Sequence, residues 1–214
     1  MSDLGNERPA APEPLALPGA AALPPASPVP SGAGFSIRLL ARLIDLFYGA
    51  ILGFMVGVMT GILFSVLSHL GRLTPEWPRL VSRFSFTGFG LGILGAFLYH
   101  SLAEGIGTAT IGKLICGLRV VQVDGRPATL GGAFVRDLAY HIDALFFGLV
   151  GYASMAKGPL QQRFGDVWGH TVVVKTAVFE PNPQRGPLRM ALGILAGSLL
   201  WASMTFLQLV LKVT

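Results

Sequence analysis

Three stretches of this chain are apolar for longer than a water-soluble fold tolerates, and they limit the architecture before anything else does. Leu46 to Leu67 runs 22 residues without a charge, Phe84 to Ala103 runs 20 with only His100 near its end, and Met190 to Leu211 runs 22. Roughly 20 apolar residues cross hydrocarbon as a helix, and a helix that is apolar on every side belongs in a membrane or a large core. The pattern predicts an all-α membrane protein with transmembrane helices over about 43–67, 84–104 and 188–212.

Charged residues make up 13% of the chain, against about 25% in soluble domains. The sixteen Lys and Arg give a net charge of +5, but they lie thinly between apolar runs rather than on one basic face. That excludes nucleic acid as a partner and makes the charge a topology signal. A single cysteine, Cys116, leaves no intramolecular disulfide and no cysteine-based zinc site. His69, His100, His141 and His170 show no metal-ligand spacing, and no nucleophile stands beside a base. No metal, no cofactor and no enzymatic chemistry are expected.

Residues 1–34 hold eight of the fifteen prolines and read as a disordered Pro/Ala-rich tail. Residues 179–187 read as a linker before the last span. A fourth apolar stretch, Ala144 to Ala156, is too short to cross. Extended to a polar helical segment over 131–157, it admits Arg136, Asp137, His141 and Asp143. If it spans, with the N-terminus inside, the Lys and Arg divide eight against eight. If it is re-entrant, they divide twelve against four. Only the re-entrant reading puts the positive charge inside. Two β-branched stretches, 118–123 and 170–178, are predicted strands, the first followed by the hairpin pair Asp124-Gly125. In the re-entrant reading both lie on the cytoplasmic side and form one small extramembrane sheet.

The sharpest pattern is a near-repeat, RLLARLID at 38–45 and RDLAYHID at 136–143. Seven residues is almost two helical turns, so Arg38 and Asp45 share a face, as do Arg136 and Asp143. Arg42 lies on the first stripe, three residues before Asp45, and Tyr140 replaces it on the second. Charges at this depth must be paired, hydrated or turned toward protein. Asp45 and Asp143 read either as carboxylates for a cation or proton, or as partners that neutralise nearby Arg. Asp166 is a third acidic candidate, alternatively a turn or cap residue before the second strand. Glu104 is a candidate counter-ion for Arg38 or Arg42. Gly49, Gly53, Gly57 and Gly61, then Gly88 and Gly92, then Gly193 and Gly197 form small-residue rows suited to close helix packing in lipid. GTATIGK at 107–113 imitates a phosphate loop but lacks the following Ser or Thr and the preceding strand.

These residues together resemble the RDD family of small bacterial membrane proteins. The resemblance rests on Arg38, Ala41 and Asp45, then Gly112-Lys113, GLRVV at 117–121, Asp124-Gly125, Arg136 and Asp143. Arg163, Asp166, Thr171 and VVV at 172–174 follow, so the likeness covers about residues 35–176. It implies a multi-pass protein of the bacterial inner membrane, and, from what is reported of some members, exchange of sodium, lithium or potassium against protons. A non-enzymatic scaffold or accessory subunit, packing as a homo-oligomer or on a membrane partner, is the alternative.

Overall fold

The computed structural model describes residues 29, 31–73, 86–143, 148–178 and 186–211. The predicted tail and the 179–187 linker lie mostly outside them. The helices are α1, Phe35–His69; α2, Phe86–Gly107; α3, Ile111–Ile115; α4, Leu130–Asp143; α5, Leu149–Met155; α6, Phe164–Trp168; and α7, Pro187–Val210. The strands are β1, Leu118–Gln122, and β2, Thr171–Lys175. Helix α1, residues Gly88–Gly107 of α2, and α7 are long and apolar enough to cross a bilayer, with mean hydropathies of 2.3, 1.3 and 1.8.

Helix α1 starts well before the predicted span at 43, because neither Gly nor Pro interrupts residues 35–43. Its 35 residues reach about 52 Å at 1.5 Å each, against roughly 30 Å of hydrocarbon. Arg38, Arg42 and Asp45 therefore sit at one membrane boundary. Helix α7 opens with Pro187 in its first turn behind Gly186, a residue order that favours helix starts.

Helices α2 and α7 pack antiparallel at backbone distance. A Cβ on Gly197 would come within 2.9 Å of Tyr99 Cα, and one on Gly193 within 3.0 Å of Gly107 N. From the other side, Gly107 faces Met190, Gly95 faces Trp201 and Gly88 faces Gln208. In lipid, packing rather than hydrophobicity brings helices together, and small residues permit this approach. Gly49 of α1 also meets Trp201, while Gly92 has only a loose contact. The row does not continue: Gly53, Gly57 and Gly61 have nothing within 4 Å. Three of the four glycines predicted to pack α1 are therefore without a close neighbour among the described residues.

The extramembrane sheet pairs β1 and β2 antiparallel, from Leu118↔Lys175 to Gln122↔Thr171. Paired strands occupy one side of the membrane, so the chain between them begins and ends on that side. The predicted polar segment 131–157 is accordingly two helices, α4 and α5, with Gly148 at φ 87° opening the second. Residues 144–147 lie outside the described residues. The Asp124-Gly125 turn forms, with Gly125 N–H donating to Gln122 O at 2.9 Å. It closes on one bridge, Val121↔Pro127, because Pro127 cannot extend a ladder.

Strand alternation gives the sheet two apolar faces. Leu118, Val120 and Val173 pack with Ala33, Ala41 and Ala128, while Val121, Val172 and Val174 pack with Val29 and Leu160. The predicted tail boundary at 34 is thus too late. Val29 and Ala33 are buried, and Ala33 N–H donates to Val173 O at 2.7 Å.

Candidate functional site

The eight-residue near-repeat is the visible end of a larger one. Each Asp reaches the start of a five-residue helix, where backbone N–H groups lack helical partners. Asp45 accepts Gly112 N–H of α3 at 2.8 Å. Asp143 accepts Phe164 and Gly165 N–H of α6, both at 3.1 Å. Each short helix then passes through a positive-φ residue, Gly117 (63°) or His170 (51°), into a five-residue strand. The offset is constant: 111 maps to 164, 112 to 165, 117 to 170 and 118 to 171. The strand register centres on Val120↔Val173, as two-fold exchange of the strands requires.

The glycines at 112 and 165 explain why the halves dock alike. A Cβ on Gly165 would lie 2.6 Å from Arg136 O and 3.2 Å from Ala139 Cβ, and one on Gly112 would overlap the Ala41 carbonyl. Ala41 and Ala139 each stand three residues after their Arg. The working unit is Arg-x2-Ala-x3-Asp seated on the Gly-containing start of a short helix.

The expected Arg–Asp pairing along each stripe does not occur. Asp45 takes the Thr110 hydroxyl at 2.6 Å, Gly112 N–H, and the Tyr99 hydroxyl at 3.3 Å, all neutral donors. Arg42 stacks on the Tyr140 ring, 4.2 Å from its centroid. It makes no hydrogen bond or ion pair to Asp45, whose oxygens face Thr110, Gly112 and Tyr99. Positions 42 and 140 are themselves equivalent in the repeat, each four residues after its Arg.

The two repeat arginines converge on Asp166 instead. Arg38 bonds Asp166 Oδ2 at 2.6 Å, Ala33 O at 2.8 Å and Val173 O at 3.4 Å. Arg136 stands 3.8 Å from Asp166 Oδ1 and pairs with Glu104. Asp166 does act as a cap, accepting Arg163 N–H at 3.2 Å, while α6 folds back beneath both stripes. Glu104 serves neither Arg38 nor Arg42. Its partners are Arg136 and Lys113, with His100 Nδ1 3.9 Å away.

These groups surround a cavity of about 50 Å³ whose lining includes Arg38, Arg42, Lys113, Arg136 and Arg163 opposite Asp45, Glu104, Asp137, Asp143 and Asp166. Five cations face five carboxylates. The volume has room for a few waters. Burial lowers Lys113 from the usual 10.5 to about 8 despite Asp137, Asp45 and Asp166 nearby. Burial lowers Arg136 and raises Asp143, the latter offset in part by the Gly165 and Phe164 N–H groups. Burial pushes Asp166 up, but Arg38, Arg136 and Arg163 outweigh it and hold the carboxyl below its ordinary range.

Sequence reasoning missed four titratable members, Lys113, His100, Asp137 and Arg163, the last named only through the family likeness. Lys113 sits in the false phosphate loop, and Gly112-Lys113 was visible only through the family likeness. His100 and Asp137 were noticed as flaws in apolar runs. Asp137 is buried and accepts the Ser101 hydroxyl at 3.1 Å. Among the described residues, no group of three or more His, Cys, Asp or Glu is placed to hold a metal ion.

Three apolar spans, a clasp of two strands and a charged, internally repeated boundary cluster define a multi-pass membrane protein. The RDD family model matches residues 32–170, and the chain belongs to that family. The match takes in α1 to α6 and ends before β2, leaving α7 outside. No curated protein and no solved structure matches the chain.

Proposed function

We propose that the protein exchanges protons for a monovalent cation across a bacterial cytoplasmic membrane, with its N-terminus and sheet on the inner face. The observation that supports this most is the buried Glu104–Lys113 pair in a charge-balanced cavity. A lysine near 8 gives up its proton close to physiological pH. Once it does, the cavity holds four cations against five carboxylates, and a monovalent cation restores the balance. Protonation of Lys113 expels that cation. The exchange is one for one.

This assigns the carrier role to Glu104 and Lys113 rather than to Asp45 and Asp143, whose oxygens are engaged by neutral donors. The test is sodium-, lithium- or potassium-driven proton flux in liposomes. Glu104→Gln and Lys113→Gln are expected to abolish flux while remaining monodisperse. Asp45→Asn is expected to weaken it only by loosening α3. Absence of flux in the wild type with all three ions would sink the reading. A non-enzymatic accessory module would then stand, favoured by the open Gly53, Gly57 and Gly61 face available to a second copy or a membrane partner.

A further inference from the structure

We infer that the groove between α1, α4 and α5 binds the phosphate of an anionic phospholipid headgroup through Arg42 and Arg163. This groove, of about 190 Å³, shares Arg42, Tyr140, Asp143 and Arg163 with the central cavity but is not lined by Glu104 or Lys113. It is walled by Phe35, Leu39, Tyr140 and Asp143 together with the two arginines.

Its charged side chains are two arginines against a single carboxylate. Asp143 is the one carboxylate on the wall, and both its oxygens accept N–H groups of α6. Arg42 has, among the described residues, only the face of Tyr140. Arg163 Nε is buried with no hydrogen-bond partner among them. A buried, unpartnered guanidinium N–H costs free energy until an acceptor arrives, and guanidinium groups match phosphate oxygens in shape and charge. The two guanidinium groups outnumber the one carboxylate, which favours an anion over a cation.

The depth selects a lipid rather than a free anion. Arg42 lies four residues before the uncharged run that begins at Leu46, the level of the headgroups. Leu39 and Leu43 beside it are 44% and 54% exposed and present apolar surface to acyl chains. A phosphate attached to such chains is delivered to the groove by the bilayer itself. Nothing in this proposal depends on transport.

The full-length protein, purified in mild detergent, is mixed with phosphatidylglycerol or phosphatidylcholine, and bound lipid is counted by native mass spectrometry. Phosphatidylglycerol is expected to bind in preference. Arg42→Gln and Arg163→Gln are each expected to weaken it about fivefold, the contribution of one basic side chain near a lipid surface. Arg42→Lys retains most binding, which separates lost charge from misfolding. Arg72→Gln, exposed after the far end of α1, changes nothing. Equal retention of both lipids, or an unchanged preference in the double variant, overturns the proposal. Displacement of lipid by millimolar inorganic phosphate overturns the lipid assignment in favour of a free-anion site.

Discussion

Replacing Asp166 by Asn is the most discriminating perturbation of the boundary cluster. The side chain keeps its shape and still accepts one hydrogen bond, but its charge is gone. Arg38, 3% exposed and 2.6 Å from Asp166, loses its only ion-pair partner among the described residues. Arg136 keeps Glu104 and loses a second anion at 3.8 Å. Removing one partner of a buried pair costs about 3–5 kcal/mol, because the other charge stays buried and uncompensated. For a chain this long, each kcal/mol moves the thermal midpoint by about 2–4 °C, so a fall of about 6–20 °C is expected. The assay is thermal unfolding in detergent micelles, followed by circular dichroism. Asp124→Asn is the control: its pair with Arg126 is similarly close at 3.2 Å, but the side chains are 38% and 59% exposed. Such pairs contribute about 0–1 kcal/mol. Adding Arg38→Gln to Asp166→Asn is expected to recover part of the loss, since the orphaned cation goes with it. Midpoints for Asp166→Asn and Asp124→Asn within about 3 °C of each other would refute the claim that Asp166 holds the two repeats together.

Three further outcomes follow from the geometry. The folded chain holds Lys113 near 8 against 10.5 in the open, so between those values the unfolded chain binds the extra proton. Stability therefore rises with pH across that window, and Lys113→Met flattens the rise; parallel profiles would contradict it. Gly53→Ala, with open space around the added methyl, is expected to gain about 0.5–1 kcal/mol from helix propensity. Gly197→Ala, meeting Tyr99 backbone at 2.9 Å, is expected to lower the thermal midpoint; a loss at Gly53 would instead reveal a partner on that face. With Cys116→Ser as background, cysteines placed at Asp124 and Lys157 are expected to react with impermeant label from the same side, and one at Arg72 from the other. Labelling of Lys157→Cys together with Arg72→Cys would mean that the 130–155 region crosses the membrane.

The spans were legible because hydrophobicity in lipid is a length-and-composition property: 22 uncharged residues cross whatever their neighbours do. The strands were legible from β-branched runs, and their pairing puts them on a common side. The interior of the site was not. Helical spacing states which residues share a face, and Arg38 does share one with Asp45, but it says nothing of which neighbour supplies the donors. Here the nearest free N–H groups belong to α3 and α6, whose starts lie 65 or more residues beyond Asp45 and about 20 beyond Asp143 in sequence. The carboxylates turn to those helices, and the arginines are released to meet at Asp166. The same release sets Arg136 against Glu104 and leaves Arg42 on Tyr140. One rule accounts for all of these exchanges. At a membrane boundary, a carboxylate that caps a helix start satisfies several backbone donors at once. The guanidinium groups, longer and with five donors each, reach further and collect what remains. That division of labour is why each repeat has Ala between its charges and Gly at the start of its short helix. The chain must come close enough for a short carboxylate to touch backbone, and only small residues allow it.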